Sequence, residues 1–71
     1  MTAAILACIL LLPPVAPGQP ERQHELQRTH LKAAECAAYA PKYAAECAKD
    51  HADTIKAVRG RVVAECRAVQ P

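Results

Sequence analysis

Four cysteines and a nearby histidine are the residues of this chain whose types and spacing could carry chemistry. The segment Lys32 to Asp50 reads KAAECAAYAPKYAAECAKD, with Ala-Ala-Glu-Cys twice, ending at Cys36 and Cys47, and Pro41 between the copies. A looser copy, VVAEC, ends at Cys66, and Cys8 lies apart in an apolar run. Cysteines of this kind offer three chemistries: a disulfide, a metal thiolate, or a nucleophile. Cys47 and His51 are four apart, the spacing of two metal ligands on one helical face. No second Cys/His pair completes a site, so no metal is assigned. The same two residues could be written as a nucleophile and its base. About fifty residues of short helices offer such a pair neither a pocket nor oxyanion donors. No catalytic residue and no cofactor is assigned, and the chain is not read as an enzyme.

Disulfides remain, and Cys36, Cys47 and Cys66 are the candidates. On one straight helix, Cys36 and Cys47 share a face but stand about 16 Å apart at 1.5 Å per residue, too far to bond. If the chain reverses near Pro41, they lie five residues before and six after the turn and face each other. Pro41 favours the reversal, because proline inside a helix costs about 3 kcal/mol. A Cys36–Cys47 bridge across a helical hairpin is therefore expected, with a bridge from Cys36 or Cys47 to Cys66 as the alternative.

The elements that must position these cysteines read as helices. From Glu21 onward the chain is rich in Ala, Glu, Lys, Arg and Gln, with no Ser, Asn, Phe or Trp. Such residues lose little on entering a helix. Strand signals reduce to the pair Val62-Val63. Helices are predicted over 21–40, 41–49 and 54–69, with Asp50 and Asp53 as caps at the last break. In the last segment Ile55, Val58, Val62, Cys66 and Val69 recur at helical spacing and form one stripe. The expected fold is all-α: a small helical hairpin or three short helices, held by disulfides.

The first twenty residues differ from the rest, since all sixteen charged residues lie at position 21 or later. Ala3 to Leu12 is an apolar run, too short for the roughly 20 residues of a membrane span and suited to the core of a secretory signal. The small residues of APG at 16–18 mark a cut between Gly18 and Gln19. Residues 1–18 are thus expected to be a signal peptide or a membrane-inserted segment, and 19–71 a small helical domain. The stretch ILAC, ending at Cys8, resembles part of a bacterial lipobox. No basic residue precedes it and four apolar residues follow, so Cys8 reads as one more small apolar residue of the run.

Disulfides require an oxidising compartment, and the N-terminal segment supplies a route to one. A cut at Gly18 leaves three cysteines, hence one unpaired. Nine large apolar residues past position 20 make a thin core, and domains this small need staples or partners. Self-association or a protein partner is expected through the last helix, along Ile55, Val58, Val62 and Val69. The net charge of +2 is spread among alternating signs, which excludes the basic stripe of a nucleic-acid binder. The reading is a small exported protein, secreted or periplasmic, acting by binding or structural association. The alternative is a membrane-anchored accessory component facing the periplasm or lumen, similar in layout to phage spanins or small subunits of membrane complexes. A metal-binding helical hairpin stands third.

Overall fold

The computed structural model describes residues 3–69. Its elements in chain order are β1 (Ala3–Leu12), β2 (Arg22–Lys32), α1 (Ala33–Asp50), α2 (Ala52–Val58) and β3 (Arg61–Ala68). The three strands form one antiparallel sheet in the order β2-β1-β3. The all-α expectation is therefore overturned: among the described residues strands hold more of the chain than helices do, and the helices are Ala33–Asp50 and Ala52–Val58 alone.

The apolar N-terminal run explains the difference. A strand hydrogen-bonded on both sides and covered on both faces is selected for continuous hydrophobicity rather than alternation. AAILACILLL meets that requirement, and Ala4 and Leu6 through Leu10 are all buried. Once β1 stands there, RQHELQRTHLK and RVVAECRA each pair along one of its sides, the former with one interruption, and gain an apolar neighbour to pack against. That gain outweighs the helix preference of their side chains, which amounts to a few tenths of a kcal/mol per residue, about 0.7 at most.

A bulge reconciles β2 with the sheet. Leu26 and Leu31 are five apart and would point to opposite faces of a regular strand. The register runs from Ala3↔Lys32 to Cys8↔Gln27, then resumes at Ile9↔Glu25, leaving Leu26 as the extra residue. The shift turns Leu26 toward the same core as Leu31 and releases Glu25 to the other face. β3 pairs with β1 without interruption, from Ala4↔Ala68 to Leu11↔Arg61.

The β1–β2 connection is punctuated by Pro13, Pro14, Pro17 and Pro20. Within it Ala16-Pro17-Gly18-Gln19 forms a tight turn: the Gln19 N–H donates to the Ala16 carbonyl at 3.1 Å, and Gly18 takes φ +84°. Proline second and glycine third are what a type II turn requires. The small residues read as a cleavage signal thus also have a conformational role. On the far side, Arg59 ends α2 in the left-handed region at φ 55°, and the Gly60 N–H closes the helix on the Ile55 carbonyl.

One helix layer lies on the sheet. Cys36, Tyr43 and Cys47 are seven and eleven apart, so they share one face of α1, and all three are buried. They meet Ala4, Leu6 and Cys8 of β1, with Leu26, Leu31, Tyr39, Ala40, Val62 and Ala64 around them. Pro41 lies inside α1 rather than at a reversal. It sits on the exposed side, where the carbonyl of Ala37 that loses its helical donor faces water. The other face of the sheet has no such layer; it presents Ile5, Ala7, Ile9 and Leu11 between charged neighbours. Arg67 of β3 reaches Glu25 of β2 at 3.4 Å across the intervening β1, and Glu25 also accepts from Arg28 at 2.6 Å. Only a methyl side chain, Ala7, stands between them in register, which lets the two long side chains meet. Their stems shelter apolar surface while the charges stay wet, and Ala7 and Ile9 remain buried.

Candidate functional site

Both disulfides run between the helix and the sheet. Cys47 is bonded to Cys8 in the middle of β1, and Cys36 to Cys66 near the end of β3. The Cys36–Cys47 bridge expected across a hairpin is absent, because α1 continues through Pro41 and holds the two cysteines about three turns apart on one face. That common face sends each to a different strand. The alternative of a bridge from Cys36 to Cys66 is the arrangement present. Cys8, read from the sequence as a residue of an apolar leader, is instead a disulfide partner, so all four cysteines are paired. No thiol is left over, against the one unpaired cysteine expected after a cut at Gly18. The only sequence signal for Cys8 was the even total of four cysteines.

The stripe read on a last helix is dispersed. Ile55 and Val58 lie on α2, Val62 on β3, and Val69 just beyond β3. Gly60 ends the helix, so helical spacing across it has no meaning. Val62 packs on the core, whereas Val58 and Val69 are exposed. The metal candidates are also engaged elsewhere: the Cys47 sulfur is in a disulfide, and the His51 ring Nε2 lies 3.2 Å from the Gln27 Oε1. Asp50 and Asp53 do not cap α2, whose N-cap is His51 without a side-chain cap bond.

What the fold brings together instead is an open edge beside an apolar groove. β3 is an outer strand, and among the described residues its outward backbone groups pair with no other strand. Beside it, Ala37, Ala40, Pro41 and Ala44 of α1 face Val62, Val63 and Ala64 of β3 across a shallow groove of about 390 Å³. The helix side of this groove is built of small residues, so it is wide enough for side chains from another polypeptide. The Cys36–Cys66 bridge fixes one end of it. Arg61 and Glu65 flank Val63 on the opposite face of the strand, each substantially exposed. None of Ala37, Pro41, Arg61 or Glu65 stood out in the sequence as a site residue; the Val62-Val63 pair was the only visible signal.

The two tyrosines sit at the other margin of α1. Their rings are 5.8 Å apart and tilted, and the Tyr39 hydroxyl donates to Glu46 at 3.2 Å. Partial burial, then the hydrogen bond and charge of Glu46, raise the Tyr39 pKa above that of a free tyrosine. The phenol therefore stays neutral through the physiological range and acts as a hydrogen-bond donor. A second, polar concavity of about 320 Å³ follows the α1–α2 junction from Lys49 to Thr54. No helix long and apolar enough to cross a membrane is found among the described residues. Comparison of the chain with protein-family models, with curated proteins and with solved structures finds no match.

Proposed function

We propose that this protein is a non-enzymatic, disulfide-held binding module of an oxidising compartment, acting by association with other polypeptide chains along the outer edge of β3. The two disulfides point to an oxidising or extracellular environment. The observation that carries the association is the unpaired edge of β3 next to an apolar groove. An exposed sheet edge offers a row of backbone donors and acceptors to an extended segment, and an adjacent apolar groove takes its alternate side chains. The partner surface thus moves from the helix stripe expected from the sequence to a strand edge.

A membrane-attached alternative draws on the same residues, Ala3–Leu12, that form the central strand. Those ten residues cannot form a membrane-inserted helix and pair as a strand with β2 and β3 at once, so a helical anchor belongs to a chain without this sheet.

Two measurements on the exported full-length protein test the proposal. Non-reducing peptide mapping is expected to return Cys8–Cys47 and Cys36–Cys66; free thiols at all four positions would remove the compartment argument. Hydrogen exchange at the amides of Arg61 to Ala68 is expected to slow when the protein is concentrated or mixed with soluble extract of its own compartment. Unchanged exchange in both conditions would exclude association at β3.

A further inference from the structure

We infer that the occupant of the β3 edge is a second copy of this chain, whose own β3 pairs antiparallel about a two-fold axis at Val63 and sets Arg61 of each copy opposite Glu65 of the other. This rests on the reading of β3 and its groove as an association surface, and it names the partner.

The symmetry leaves few registers. Residues directly opposite in an antiparallel pair share a face of the sheet, so a two-fold axis normal to the sheet passes through a residue position. With the axis at Val63, both charged pairs are Arg61 with Glu65, Val63 meets Val63, and Val62 meets Ala64 twice. An axis at Ala64 sets Arg61 against Arg67 twice, and one at Glu65 sets the two glutamates against each other. Like charges directly opposite are destabilising. An axis at Val62 leaves Arg61 opposite Val63. An axis at Cys66 does oppose Glu65 to Arg67, but brings both Cys36–Cys66 bridges to the axis and leaves Val62 opposite no residue of the strand. Arg61-Val62-Val63-Ala64-Glu65 is thus complementary to itself in one register: charged ends of opposite sign around an apolar centre.

The surroundings fit that register. Val62 and Ala64 lie on the core side of β3, so pairing joins the two grooves into one trough across the axis. The walls of that trough, Ala37, Ala40, Pro41 and Ala44, leave room for Val62 of the other copy. Arg61 and Glu65 already make ion pairs within the chain, with Glu21 at 3.1 Å and Arg67 at 3.5 Å. These are exposed pairs of small worth and can be exchanged for cross-copy pairs. The opposite edge does not compete. β2 carries a bulge and a run of charged and histidine side chains, two devices that protect an edge.

Sedimentation equilibrium on the oxidised full-length protein tests this. The wild type is expected to be a dimer that dissociates in about the micromolar range. Arg61→Glu and Glu65→Arg should each weaken it at least about tenfold, and the double exchange should restore it to within about threefold. Circular dichroism and disulfide mapping verify that each variant is folded, which the exposure of both positions favours. A wild type that stays monomeric at about 100 µM, far above that range, overturns the inference. So does a dimer indifferent to all three variants, or one broken by Arg67→Glu but not by Arg61→Glu. A monomeric wild type whose β3 amides still gain protection from compartment extract leaves the association surface standing and removes only the second copy.

Discussion

At the scale of single residues, Gly60 is the position where backbone and packing meet most closely. A Cβ there would stand 2.7 Å from the Leu10 Cδ1 and 3.0 Å from the Leu11 carbonyl oxygen. Leu10 is buried and the carbonyl belongs to the central strand, so only the leucine could give way, at the expense of its packing. Gly60→Ala is therefore expected to lower stability by about 1–3 kcal/mol, although alanine is the better helix former. Denaturant unfolding measures it; an alanine variant as stable as the wild type would show that β1 does not approach the α2–β3 turn this closely. The sequence alone implies the reverse sign, since a glycine inside an expected helix reads as a weakness that alanine would repair. Cys8 teaches the same lesson. In the sequence it is one small apolar residue among others, and only the position of α1 makes it the partner of Cys47.

At the scale of elements, α1 is tied at two points to two different strands, and the two ties differ in access. Cys8 and Cys47 are both fully buried, whereas Cys66 is exposed although Cys36 is not. Thiol–disulfide exchange requires a thiolate to reach one of the sulfurs. The Cys36–Cys66 bridge is expected to be reduced at least about tenfold faster, and Cys8–Cys47 to survive until the sheet and helix part. Timed reduction followed by alkylation and mass spectrometry reads the order, and label arriving first on Cys8 and Cys47 would contradict it. Loss of the outer bridge frees the end of β3 from α1 while the helix remains on β1. Each bridge closes a long loop, 39 and 30 residues in separation, and limits the unfolded chain by roughly 3–4 kcal/mol in the chain-entropy account. Values of that size matter where a single helix on three strands supplies the whole core.

At the scale of the whole molecule, the fold depends on its first strand. β1 lies between β2 and β3 and contributes half of the core cluster of buried residues. A cut at Gly18–Gln19 would remove it together with Cys8, leaving two strands without the one between them and Cys47 without a partner. The loss exceeds the roughly 5–15 kcal/mol by which small domains are stable. A chain beginning at Gln19 is expected to show no strand signal in far-UV circular dichroism, no cooperative unfolding and a free Cys47 thiol. A Gln19 chain with the strand content and cooperativity of the full chain would show that β1 is dispensable. Intact mass of the folded protein from its own compartment shows which form exists there. What the sequence determined by itself is what composition and covalent chemistry can express: a small disulfide-bonded chain, an apolar segment set apart from a charged remainder, and helix on either side of Pro41, though not its continuity through the proline. Only the tertiary structure decided that the apolar segment is a central strand, that its neighbours are strands, and which cysteines meet. The physical reason is that these outcomes depend on partners distant along the chain. An apolar run of ten residues satisfies a signal core and a doubly paired strand equally well, and a weak local preference for helix yields wherever such a strand offers two ladders of hydrogen bonds.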